Sequence, residues 1–301
     1  MDTREHSLRQ NPLLLLVKRP AIVTLSLTIW LANVCGCAGL SPRVALPSND
    51  QFEREQLRIF SDFRLPRRHR LLDELTARRR DIAERLLLPV SDEPINIYLF
   101  DNEKRFQKYL KQNFPLFPQR RAFFVKSDTN LRVFAHWGEH VGDDLRHEVT
   151  HGYLHSVIPN LPLWLDEGLA EYFELPRGSN GLHHQHIYHL TEMARQQNWQ
   201  PSLTRLESLT NAAEMSQLEY AESWLWVHYM LESDMETRKA LQDQLARFRM
   251  TGDAEPLSHH LAELIEDGEQ AVIDHLERLG TKVGGKIDTP ADSVDSSPDE
   301  N

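Results

Sequence analysis

The 301-residue chain is poor in cysteine, with 2 in all, Cys35 and Cys37. That excludes a disulfide scaffold and a cysteine-rich zinc site. Basic charge is also short. Against 45 Asp and Glu stand 34 Lys and Arg, for a formal net charge of −11. A nucleic-acid-binding surface needs the opposite balance, so no nucleic-acid partner is expected. Nor does the chain hold an uninterrupted apolar run of the roughly 20 residues that a bilayer-spanning helix needs. What is present is 40% hydrophobic residues, enough for a sizeable core, and 26% charged residues, as in ordinary globular chains. Histidine is plentiful at 15. A metal ion, if bound, must be held by imidazole and carboxylate.

Residues 21–34 (AIVTLSLTIWLANV) are uncharged and almost wholly apolar, and Lys18 and Arg19 lie just before them. A basic stretch followed by an apolar one of this size predicts an export signal. Val34-Cys35-Gly36-Cys37 resembles a bacterial lipobox with Cys37 as the lipidated residue. The expectation is an exported protein of the cell envelope, attached to the membrane through an N-terminal lipid or a signal anchor, or else secreted. Residues 1–37 are thus assigned to a leader.

Residues 38–92 are expected to form a linker, 41–50, and an amphipathic helical region. Leu71, Leu72, Leu75, Ile82 and Leu86 recur at helical spacing. The arginine clusters at 67–70 and 78–80 are expected on a solvated face. A folded domain is predicted over 93–280. It opens with a strand at Ile95–Phe100 and a helix over 102–113 capped by Asp101. Two more strands follow, Arg121–Lys126 and Leu131–Trp137, joined by the turn-type cluster Ser127-Asp128-Thr129-Asn130. Helices are predicted at 143–157, 163–175, 183–198, 216–232, 236–248 and 256–279. Strands first and helices later predict an α+β fold, a small N-terminal sheet followed by a mainly helical part. The acidic tail, 281–301, carries almost no large apolar residue and is expected to be disordered.

Residues 147–151 read His147-Glu148-Val149-Thr150-His151, an H-E-x-x-H. On a helix, i and i+4 share a face, so both imidazoles can reach one metal ion at about 2.0–2.1 Å. Asp143 or Asp144 is expected to cap that helix. Glu148 can reach a water on the metal and act as general base. The pentapeptide alone is a weak signal. The next segment strengthens it: Pro162-Leu-Trp-Leu-Asp-Glu-Gly-Leu-Ala-Glu-Tyr-Phe-Glu174 starts a second helix and carries Glu167. Two histidines and one carboxylate complete the three protein ligands of a catalytic zinc site and suit Zn2+.

H-E-x-x-H followed by W-L-x-E-G-x-A-E resembles the gluzincin metallopeptidases, the group containing thermolysin and the aminopeptidase-N-like enzymes. Within it, the chain looks most like bacterial exported gluzincin-like proteins of unknown function with a P-x-W-L-x-E-G-L-A-E-Y-F-E block. The resemblance is specific over 145–174 and weaker over 95–232. It implies a zincin-type domain, a zinc cofactor on His147, His151 and Glu167, Glu148 as base, and a peptide or protein substrate. It implies that Glu171, four residues after Glu167, holds the far nitrogen of a zinc histidine. It also implies that Tyr220, at the start of a downstream helix, is the oxyanion donor. The strand Leu131–Trp137 would border the cleft and pair with substrate backbone. No G-x-M-E-N motif is present, and Glu167 follows His151 more closely than in aminopeptidase-N-like enzymes. Both departures argue against aminopeptidase activity.

His155, one turn past His151, is expected to pack or face solvent, and Asp166 to serve structure. His228 and Tyr229 are weaker site candidates. The cluster His183, His184, His186 and His189 is expected at a solvated junction, with a second metal site as the alternative. Two further functions fit the same residues. One is a catalytically silent zincin-fold scaffold of the cell envelope. The other is hydrolysis of a non-peptide amide such as a cell-wall cross-link.

Overall fold

Alternation of side chains sets the core. In β3 (Ile95–Phe100) and β5 (Asn130–His136), the residues Ile95, Ile97, Leu99, Leu131, Val133 and Ala135 point to one face. Phe100 and Phe134 point to the other. A strand apolar on both faces must be covered on both, and these are. The computed structural model describes residues 43–284. In it, α1 (Arg70–Leu86) and α3 (Val141–His155) pack on the first face. Helix α2 (Glu103–Asn113) closes the second through Phe106, Tyr109 and Leu110.

The sheet has five strands in the order β1-β2-β3-β5-β4. Strands β1 (Asp50–Arg54) and β2 (Leu57–Ser61) form an antiparallel hairpin. β2 pairs with β3 and β3 with β5 in parallel. β4 (Ala122–Ser127) runs antiparallel to β5 and ends the sheet. The α+β expectation therefore holds. The expected border at 92/93 does not separate two regions, because β1 and β2 belong to the same sheet as β3–β5. The expected linker 41–50 ends where β1 begins. The leader, with Cys37, and residues 285–301 lie outside the described residues. Among those described, no helix is long and apolar enough to cross a membrane.

The helical part follows as α4 (Leu163–Phe173), α5 (His184–Arg195), the short α6 (Leu203–Glu207), α7 (Gln217–Glu232), α8 (Met235–Thr251), α9 (Leu257–Leu264) and α10 (Gly268–Gly284). The helix expected over 256–279 is broken in two. Ile265 turns extended, and Asp267 accepts a hydrogen bond from the Gln270 amide to start α10. Of the arginines at 78–80, Arg80 is exposed as expected, but Arg78 is not on a solvated face. Arg78 is buried, with its guanidinium on the Leu175 carbonyl.

Two glycines set the distances that matter for the site. A Cβ on Gly152 would come within 3.0 Å of Ile95, so α3 lies directly on β3. A Cβ on Gly168 would come within 2.5 Å of the Ser223 carbonyl oxygen, so α4 crosses α7 at near-contact of backbones. These approaches lock the H-E-x-x-H helix to the sheet and the Glu167 helix to the rest of the domain.

Candidate metal centre

Helix α3 begins at Val141 with His140 as its N-cap, and no side chain caps it. Asp143 instead pairs with Arg146, and Asp144 pairs with Arg121 at 2.8 Å. Arg146 also bonds the Glu174 carbonyl oxygen and reaches Glu74 at 3.3 Å. That arginine fastens α3 to the end of α4 and to α1.

The two helices then bring three donor atoms together. His147 Nε2 and His151 Nε2 are 3.2 Å apart. Glu167 Oε2 lies 3.4 Å from the first and 3.6 Å from the second. Ligands about 2.0–2.1 Å from a tetrahedral zinc stand about 3.3 Å from one another. The three atoms thus have the spacing of one face of such a tetrahedron, and the donor set could hold a divalent cation.

Both rings are oriented from behind by carboxylates. His147 Nδ1 lies 3.0 Å from Glu174 Oε2, and His151 Nδ1 lies 2.9 Å from Asp166 Oδ1. With these oxygens accepting from Nδ1–H, the Nε2 lone pairs of the neutral rings point into the triad. Glu171 does not take the expected part. Its Oε2 bonds His186 Nε2 at 2.9 Å, and Glu174, at the C-cap of α4, meets His147 instead. Asp166 serves structure, as expected, by holding two rings. Its second oxygen takes His155 Nε2 at 2.8 Å, and Phe124 of β4 stacks on both His151 and His155.

The charges reinforce one another. Burial opposes a charged imidazole, yet Asp166 and Glu167 outweigh it and hold His151 up to about 10. Glu167 and Glu174 likewise raise His147 well above 6.5 against its burial. Burial would raise the carboxyls, but the histidines draw Glu167 and Glu174 down to about 2. Such a pocket attracts positive charge. Glu148 is buried, and that burial lifts its carboxyl above the usual range while His147 and His151 oppose the lift.

Tyr220 is half-buried in the first turn of α7, with Glu167, His147 and Arg120 in electrostatic range; burial first, then Glu167, raises its hydroxyl. Arg120, which the sequence did not single out, also acts on Glu148 from the loop before β4. His228 is elsewhere. It pairs with His275 at 2.9 Å, and burial lowers it to about 3. Tyr229 packs against the same His275 ring. β5 is not a cleft edge, since β3 and β4 pair with it on both sides. Among the described residues, the open edge beside the triad belongs to β4.

Residues 144–250 match a family described as "Protein of unknown function (DUF1570)". The match covers less than half of the chain, yet it runs from the H-E-x-x-H turn through Glu167, Glu174 and Tyr220 and leaves out the sheet. No curated protein matches the chain.

Proposed function

We propose that the protein is a zinc-dependent peptidase. The observation that carries this reading is the triangle of His147 Nε2, His151 Nε2 and Glu167 Oε2, with edges of 3.2, 3.4 and 3.6 Å. Zinc held by these residues would supply Lewis-acid polarisation of a scissile carbonyl and a lowered pKa for water. Glu148 takes the proton of the attacking water and returns it to the leaving amine. Its carboxyl, raised by burial, is suited to giving that proton back. The Tyr220 hydroxyl donates a hydrogen bond to the developing oxyanion, and its raised pKa keeps that proton in place. An extended substrate adds to the open edge of β4, where Phe124 already touches the His151 ring. The leader pattern supports an enzyme of the cell envelope, tethered through Cys37.

The test is to incubate zinc-loaded wild type and Glu148→Gln with unfolded protein and a mixed peptide library, and to read new termini by mass spectrometry. Wild type cleaves. The variant keeps its zinc and cleaves slower by at least about 10²-fold. A variant as fast as wild type removes Glu148 as base. A wild type that binds zinc and leaves every peptide intact overturns the peptidase.

A further inference from the structure

His183 and His186 lie outside the donor triangle, at the start of α5. His183 is the N-cap of that helix, and its Nδ1 accepts the His186 backbone N–H at 3.3 Å. An imidazole nitrogen that accepts carries no proton, so the neutral ring has its proton on Nε2. That atom lies 3.1 Å from Glu174 Oε1. The other oxygen of the same carboxylate, Oε2, accepts from His147 Nδ1 at 3.0 Å. The cap of one helix thus fixes a tautomer whose N–H grips the carboxylate behind the H-E-x-x-H histidine. Asp166 repeats the pattern, shared between His151 and His155 at 2.9 and 2.8 Å.

We infer that His183 is a positioning residue: through Glu174 it holds His147 with Nδ1–H turned away and the Nε2 lone pair turned toward His151 and Glu167. This rests on reading that triad as the metal site. Glu174 needs such a tether, because it follows the last helical residue, Phe173, and its side chain is only half-buried.

Glu171, His183 and His186 also lie close enough together to suggest a second metal site. Two features argue against it. The His183 and His186 rings stack face to face, with centroids 3.6 Å apart and planes 16° apart. A cation in the plane of one ring then lies well out of the plane of the other. And a cation on His183 Nε2 would require a proton on Nδ1, directed at the His186 N–H it now accepts.

Two substitutions separate the roles of the ring. Asn at 183 keeps an acceptor for the helix cap but is too short to reach Glu174. Gln at 183 keeps an N–H donor at the reach of Nε2 and gives up the better cap. Full-length wild type, His183→Asn and His183→Gln are titrated with Zn2+ against a chromophoric chelator. The His147 Nδ1 proton is followed by imidazole 1H–15N NMR in the metal-free proteins. Wild type binds one equivalent. His183→Asn stays folded, binds zinc about tenfold more weakly and loses the low-field His147 signal. His183→Gln stays within about threefold and keeps it. Equal affinity and an unchanged signal in His183→Asn overturn the inference, as does a second equivalent of zinc that this variant loses. If wild type takes up no zinc, the metal reading fails by itself. The imidazole signal still decides whether His183 holds Glu174 on His147.

Discussion

The Nε2 atoms of His147 and His151 face each other at 3.2 Å, each on a ring whose Nδ1 is already committed to a carboxylate. A metal ion there would replace the protons that the surrounding carboxylates favour on both rings. With Glu167 Oε2 on the same side, the three atoms form the donor set proposed above for a divalent cation. Full-length protein should therefore bind one equivalent of Zn2+ and melt at a higher temperature with it. At a hundredfold excess over the dissociation constant the gain is about 2.7 kcal/mol. His151→Ala and Glu167→Ala should each abolish the shift in a thermal melt. A Glu167→Ala variant with the full shift would take Glu167 out of the donor set.

The same geometry sets the pH dependence. His151 is held up to about 10, against 6.5 for an ordinary imidazole. A group raised on folding stabilises fully below its unfolded pKa and loses that contribution as pH rises through the folded one. The metal-free protein should lose stability between about pH 6.5 and about 10. Bound zinc replaces the proton, so the zinc-loaded protein should show a flatter curve over that window, and zinc affinity should fall on acidification. Melts of the chelated protein that rise through this window would contradict the assignment.

Tyr220 supplies none of the three donor atoms, so its loss should spare the metal. Tyr220→Phe should keep zinc affinity and KM for peptides while kcat falls about 10²-fold. A fall in zinc affinity of the same size would make Tyr220 a structural partner of Glu167 rather than an oxyanion donor.

Asp166 clamps His151 on one oxygen and His155 on the other. Asp166→Asn puts an amide where a carboxylate accepts two N–H groups. Zinc affinity should drop about 10–100-fold. His155→Ala should cost less, since His151 keeps its own carboxylate. If Asp166→Asn binds zinc as tightly as wild type, Asp166 does not orient His151 for the metal.

Local pattern made half of this legible. The i, i+4 histidines, Glu167 one helix later and the apolar alternation of β3 and β5 are each written in a few adjacent residues. The first hairpin was hidden because its turn, Glu55-Gln56, has neither Gly nor Asn, although Glu55 adopts a left-handed φ of 49°. The resemblance points to Glu171, four residues after Glu167 on the same helix face, and gives no sign of Glu174. The α4 helix ends at Phe173, and past that end the side chain of Glu174 turns to His147, which no period describes. Arg78 was misplaced for the same kind of reason. Its partner, the Leu175 carbonyl, lies 97 residues away, and a guanidinium in a charged run gives no sign of it.

Glu167 is only as well placed as the helix crossing beneath it. Gly168 lets α4 approach the Ser223 carbonyl so closely that an added Cβ would sit 2.5 Å from that oxygen, a backbone atom that cannot rotate away. Gly168→Ala must therefore push α4 off α7. Overpacking of this kind costs about 1–3 kcal/mol, against any gain from replacing a helical glycine. Urea unfolding of the metal-free protein should show that loss, and zinc affinity should fall with it, because displacing α4 carries Glu167 away from the two imidazoles on α3. Unchanged stability would mean that the crossing yields freely. Lost stability with unchanged zinc affinity would mean that the carboxylate is held in place by the histidines themselves and not by the α4–α7 contact.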